Sequence, residues 1–149
     1  TAELETQLSD LKSKAPPPPS TAVKPALTNP YSVYDDALHM FRSRNYQESA
    51  TTLQRILNND SSSDLADNCH YWLGECAYAM RHYQEALGHF QKVFDFKLSE
   101  KKDDAQIMIA HCYYAQGDKA NAKKEYNKFL EKFPASPYAT RAKERLNKL

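Results

Sequence analysis

Three cysteines (Cys69, Cys76, Cys112), five histidines (His39, His70, His82, His89, His111) and the acidic pairs Asp35-Asp36 and Asp103-Asp104 are the side chains whose types could ligate a metal, attack a carbonyl or move a proton. Their spacing argues against each chemistry. Cys69 and Cys76 stand seven apart, about 10.5 Å of axial rise on one helix at 1.5 Å per residue. Neither a disulfide nor a tetrahedral zinc with Zn–S bonds of about 2.3 Å spans that distance. Cys76 and Cys112 occupy equivalent positions of the repeats described below, so a bridge between them stays open. Thiols packed as small apolar residues are the preferred reading. No histidine forms a His-x-x-x-His pair, and none accompanies a serine or cysteine nucleophile motif. In Cys69-His70 and His111-Cys112 the neighbouring side chains diverge by about 100° on a helix. The paired aspartates open helical stretches, where carboxylates complement the helix dipole. Asn59-Asp60-Ser61 fits a glycosylation acceptor and fits an inter-helix turn better. The expectation is no catalytic residue, no metal and no cofactor, hence no enzyme.

Composition points the same way. The chain has 149 residues, 41% hydrophobic and 26% charged, with a formal net charge of +1, which argues against a dedicated nucleic-acid binder. No run approaches the roughly 18 apolar residues of a membrane span, so direct membrane insertion is not expected. Only three glycines are present, which leaves no glycine-rich phosphate loop and few of the tight turns an antiparallel sheet needs. Ten tyrosines and six phenylalanines are a heavy aromatic load.

That load is unevenly placed. Pro16, Pro17, Pro18, Pro19, Pro25 and Pro30 lie in the first 30 residues, while every aromatic residue lies in 31–149. A segment without large apolar groups cannot offset its ordering entropy, so 15–30 reads as a Pro-rich linker. In 1–14, Leu4, Leu8 and Leu11 carry heptad spacing. Two heptads are marginal alone, and the segment reads either as a frayed tail or as the end of a longer coiled coil.

The elements that position the remaining residues repeat. Three segments align: Arg44, Tyr46, Ser49, Leu53 and Ile56; Arg81, Tyr83, Ala86, Phe90 and Val93; Gly117, Lys119, Ala122, Tyr126 and Phe129. In each, a small residue precedes two large ones at helical spacing. Tyr46 and Tyr83 are 37 apart, and Tyr83 and Lys119 are 36 apart. An upstream helical stretch precedes each segment, at 33–41, 69–80 and 106–115. Polar or prolyl breaks fall at 58–63 and 133–137. The reading is all-α, with three antiparallel helical hairpins (about 31–63, 64–99 and 100–135) and a capping helix at 137–149, wound as a right-handed solenoid.

Trp72-Leu73-Gly74 followed by Tyr83, Ala86 and Phe90 resembles the tetratricopeptide repeat. More narrowly, 63–75 and 132–146 are similar to the Tol–Pal system accessory family, also called the cell division coordinator. That family orders an N-terminal coiled coil, a linker and a repeat domain, the order found here. The resemblance implies a periplasmic protein that is trimeric through its coiled coil. It further implies that the protein binds TolA and links outer-membrane constriction to septal synthesis by a bifunctional peptidoglycan synthase. Three unpaired cysteines sit awkwardly with that address. The competing readings are a lipoprotein of the outer-membrane assembly type, a cytoplasmic repeat scaffold, and an accessory domain of an enzyme.

With Ala37, Gly74 and Ala110 turned toward the paired helices, the opposite face of the first helices lines the inner wall of the solenoid. That face reads Tyr31, Tyr34, Leu38 and Phe41, then Tyr71, Glu75 and Tyr78, then Ile107, His111 and Tyr114. Tyrosine offers large contact area at low entropic cost and keeps a polar tip, so the wall is expected to receive an extended or helical peptide. Repeat adaptors that hold a C-terminal carboxylate are similar to one another in presenting Lys and Asn here, and this wall does not. Charge is polarised: 31–118 carries a net −5 and 119–149 a net +6.

Overall fold

The computed structural model describes Leu27 and residues 29–149, and among these every regular element is helical. The order is α1 (Pro30–Arg42), α2 (Tyr46–Asn59), α3 (Ala66–Ala79), α4 (Tyr83–Lys92, continued by a 3-10 turn at Val93–Asp95), α5 (Lys102–Ala115), α6 (Lys119–Lys132) and α7 (Ala139–Leu146). Each helix packs chiefly on its neighbours in sequence, giving three hairpins with α7 laid against α6. The expected coiled-coil segment at 1–14 lies outside the described residues, as does nearly all of the Pro-rich stretch.

The first helices begin three or four residues before the apolar stripe does, for a polar reason. The Asn29 side chain accepts hydrogen bonds from the backbone N–H groups of Tyr31 and Ser32, at 3.1 and 3.2 Å, with Pro30 at the first helical position. Ahead of the later helices a serine turn recurs. The hydroxyl oxygens of Ser63, Ser99 and Ser136 accept from the N–H two residues on, at 3.2, 3.1 and 3.3 Å. Capping residues carry no hydrophobic period, so the stripe under-reads these starts.

Within each hairpin the turn is built one way. Arg44, Arg81 and Gly117 hold φ of 64°, 63° and 76°. Each donates its N–H to the carbonyl three residues back, while the next residue donates to the carbonyl five back, as in Asn45 to Met40 at 2.9 Å and Asp118 to Tyr113 at 3.0 Å. This closure satisfies the last helical carbonyls. Glycine reaches that conformation freely, whereas an arginine crowds its Cβ against the carbonyl.

The hairpins close because one helix of each is locally thin. A methyl placed on Gly74 would meet the Phe90 ring at 2.5 Å. Ala37 faces Ser49, whose hydroxyl donates to the Ala37 carbonyl at 2.7 Å. Ala110 and Ala122 are both fully buried. The buried Gln106 amide donates to the Glu125 side chain at 2.7 Å and to its carbonyl, tying α5 to α6. Three core clusters follow along the chain: one around Leu53 and Ile56, one around Phe90 and Val93, one around Tyr126 and Phe129. Trp72 packs on the first two, and Met108 and Tyr113 on the last two. Neighbour-only packing of this kind is what defines a solenoid.

Two consequences can be measured by chemical denaturation. Arg44→Gly and Arg81→Gly each relieve a left-handed residue and raise stability by about 0.5–1 kcal/mol, while Gly117→Ala lowers it by about 1 kcal/mol. Gly74→Ala forces the Phe90 ring aside and costs about 1–3 kcal/mol.

Candidate functional site

The ten residues expected to line the wall lie on α1, α3 and α5 about 40–120° round the helix from Ala37, Gly74 or Ala110, beside the contact with the paired helix rather than opposite it, and they divide by burial. Tyr31 is 53% exposed, and its hydroxyl donates to Asp64. Tyr34, Leu38, Glu75, Tyr78, His111 and Tyr114 are half-buried. Phe41 is half-buried as well, but it is wedged edge-on between Tyr46 and Trp72, with ring centroids 5.2 and 5.1 Å away. Tyr71 and Ile107 correct the expectation. Tyr71 is 9% exposed and Ile107 3%. The Tyr71 ring is held edge-on to Trp72 at 5.3 Å and tilted against Phe90 at 5.8 Å. Ile107 packs in the third core. Each stands three residues before the small residue of its helix, Gly74 or Ala110, about 60° round from the contact with the paired helix, and is covered along with it.

The structure adds residues that helical phase alone does not suggest. The Lys101 ammonium lies 5.0 Å from the Tyr71 ring centroid and 6.0 Å from that of Trp72. From the far end, α7 contributes Arg145, whose guanidinium sits 4.6 Å over the Tyr114 ring. Just ahead of α7, the Tyr138 hydroxyl donates to Asp104 at 2.7 Å. Tyr126 of α6 shares a hydrogen bond of 2.5 Å with His111 Nδ1. Tyr78 stands edge-on to Tyr83 at 5.3 Å.

The electrostatics are those of a half-wet surface. Burial pushes the Tyr34 hydroxyl up to about 12 against the pull of a hydrogen bond with Trp72, and Cys69, Asp67 and Asp35 add to the rise. Burial raises Glu75, with Asp104 adding, while the Tyr71 hydroxyl, donating at 2.9 Å, and Lys101 oppose it. Burial and then the charges of Arg145 and Arg141 press His111 down to about 4. Among the described residues the only close acid–base contacts join His82 and His89 to Glu85, so Lys101 and Arg145 rest on aromatic faces without a carboxylate partner.

The residues first weighed for chemistry are packed as structure. Cys69, Cys76 and Cys112 are free and fully buried, and burial lifts Cys69 and Cys112 to about 12, where a thiol is a poor nucleophile. His70 and His89 stack with centroids 6.3 Å apart, and the Nδ1 atom of each is buried without a partner. Burial lowers both, favouring the uncharged ring. Among the described residues no three His, Cys, Asp or Glu side chains converge to hold a metal ion, and no helix is long and apolar enough to cross a membrane. On the side of α2, α4 and α6 there are two shallow hollows. One of about 330 Å³ is lined by Thr51, Arg55, Leu73 and His89, and one of about 230 Å³ by Phe94, Gln106 and Lys128.

Hairpins in register, each with a small residue against the paired helix, decide the fold. The chain folds as a solenoid of tetratricopeptide-like helical hairpins. A family model described as tetratricopeptide repeat matches residues 104–136, and one described as anaphase-promoting complex, cyclosome, subunit 3 matches residues 23–93. Neither description names the Tol–Pal system, and no curated protein matches the chain. Among solved structures, the solenoid is similar to the Yersinia enterocolitica type III secretion chaperone SycD in complex with a peptide of the translocator YopD. That match has 20% identity and a TM-score of 0.70, over 79% of this chain and 89% of that one. It is similar to PcrH with the chaperone binding region of PopD at 17% identity and a TM-score of 0.68, over 79% of this chain and 88% of that one. The second repeat domain of human RPAP3 with an HSP70 peptide follows at 14% identity and a TM-score of 0.65, over 81% of this chain and all of that one. At these identities the likeness is one of fold.

Two predictions rest on these surroundings. His111 is lowered from its ordinary 6.5 to about 4, so between those values the unfolded chain binds more protons than the folded solenoid. Stability therefore falls as pH drops through that window. His111→Gln flattens the profile of denaturation midpoint against pH, with the shifts of His70 and His89 leaving a residual slope. In the native state the three thiols resist a thiol-specific reagent, and all of them react once denaturant unfolds the chain.

Proposed function

We propose that this solenoid is a non-enzymatic adaptor whose wall of α1, α3 and α5 grips a segment of another protein. The observation that carries this reading is the row Tyr34, Glu75, Tyr78, His111 and Tyr114. These large amphipathic side chains stay half-buried at the surface although the three cores nearby are filled. Aromatic rings with polar tips give contact area and hydrogen bonds together, the composition of binding hot spots. SycD, PcrH and the RPAP3 domain were each solved with a peptide or a binding region of a partner, which supports the fold's capacity for such a ligand.

The narrower reading is a periplasmic coordinator of the Tol–Pal kind that binds TolA, assists a bifunctional peptidoglycan synthase and trimerises through a heptad region. It is supported by the order of heptads, Pro-rich stretch and repeats in the sequence. The test is direct binding of the full chain to purified TolA, compared with Tyr78→Ala and Tyr114→Ala variants of unchanged helicity. The expected result is a loss of at least about tenfold in affinity per variant, about 1.4 kcal/mol each. Undiminished affinity moves the binding surface to the hollows beside α2, α4 and α6. Absence of TolA binding removes the Tol–Pal reading and leaves the adaptor to be tested with other segments.

A further inference from the structure

Arg145 is half-buried at the end of the wall. Its guanidinium carbon lies 4.6 Å from the Tyr114 ring centre, and its charge is felt at Tyr78, His111 and Tyr126. One cation from α7 thus rests on a ring of α5 and acts on side chains of α3, α5 and α6. No described carboxylate neutralises it. Two acids of α3 and α5 are committed elsewhere, Glu75 to the Tyr71 hydroxyl and Asp104 to the Tyr138 hydroxyl. A guanidinium stacked on a ring keeps its N–H edge free, and that edge matches a carboxylate in bidentate fashion. Arg141, one turn earlier on the same helix, adds a second positive charge, also felt at His111.

The other end of the wall has the opposite sign. Asp35 and Asp67 act on Tyr34, and Asp64 accepts from Tyr31. We propose that Arg145 is an anion anchor, and that the segment received by the wall carries an internal aspartate or glutamate side chain at that point. The segment's cationic part lies toward α1, so charge fixes the direction in which it runs. The anchor rests on the reading of the wall as a polypeptide-binding surface. The source proposed is a side-chain carboxylate; a chain terminus has the same chemistry and is separated from it by amidating the peptides.

The test uses the full chain, fluorescently labelled, on an array of short peptides of randomised sequence, each made with an amidated and with a free C-terminus. Wild type, Arg145→Gln and Arg145→Lys are compared after their thermal unfolding has been matched. The expected binders share an internal Asp or Glu at one register and bind equally well when amidated. Arg145→Gln weakens them at least about tenfold, while Arg145→Lys keeps the charge, loses the fork and falls between. Independently of any variant, raising the salt must weaken acidic binders more than neutral ones. Binders with no acidic bias, a bias untouched by Arg145→Gln, or dependence on a free C-terminus would each overturn the anchor while leaving the wall in place. An array with no binders overturns the wall itself, and the anchor with it.

Discussion

Phe90 can lie across α3 only because position 74 has no side chain, and the rest of the molecule follows from contacts of that type. A hairpin whose axes approach this closely buries its large residues, Leu53, Phe90 or Tyr126, with no exposure at all. Burial of such a side chain contributes about 1.5–3 kcal/mol, while the hairpin alone leaves one flank of each stripe open. The next hairpin covers that flank. The three cores therefore form in sequence order, with Trp72, Met108 and Tyr113 as the links between them.

The same geometry decides what is left over. Once Ala37, Gly74 and Ala110 are committed to the paired helices, the residues beside them on α1, α3 and α5 divide: Tyr71 and Ile107 enter the cores, and the others stay at the surface. They must tolerate water without wasting area. Tyrosine meets that requirement, and here the hydroxyl groups are tethered: Tyr31 to Asp64, Tyr71 to Glu75, Tyr138 to Asp104. The terminal helix serves both surfaces. Ala142 is fully buried against the last core while Arg145 reaches over Tyr114, so α7 closes the solenoid and completes the wall at once.

Periodicity made the helices, the pairing and the small-residue contacts legible, because amphipathic stripes and their offsets of 36 and 37 residues are local properties of the chain. The alignment of Arg44, Arg81 and Gly117 puts one position of each repeat in register, but two arginines do not announce a left-handed residue. The serine turn at Ser63, Ser99 and Ser136 is periodic too, yet it escapes a hydrophobic reading since the signal is a single polar residue. The wall was legible only in part. Tyr71 and Ile107 share the position of the half-buried Tyr34, three before the small residue, and burial at that flank depends on what the neighbouring elements lay over it. Lys101, Tyr126, Tyr138 and Arg145 come from neighbouring elements and from α7, so no single-helix projection brings them to the same face.

In the proposed adaptor, grip and selection are separate properties of the wall. The rings of Tyr34, Tyr78 and Tyr114 offer area that any extended or helical segment can use, so they would set affinity with little regard for sequence. The charged groups do the opposite. Lys101 and Arg145 sit on aromatic faces with no ion partner among the described residues. Exposed pairs of charges contribute little, but a half-buried cation without a counter-charge penalises every ligand that fails to supply one. The hollows beside α2, α4 and α6 differ in exposure: the cations that line them, Arg55, Lys128 and Lys132, stand in solvent. A carboxylate brought to them would form an exposed pair, which contributes little.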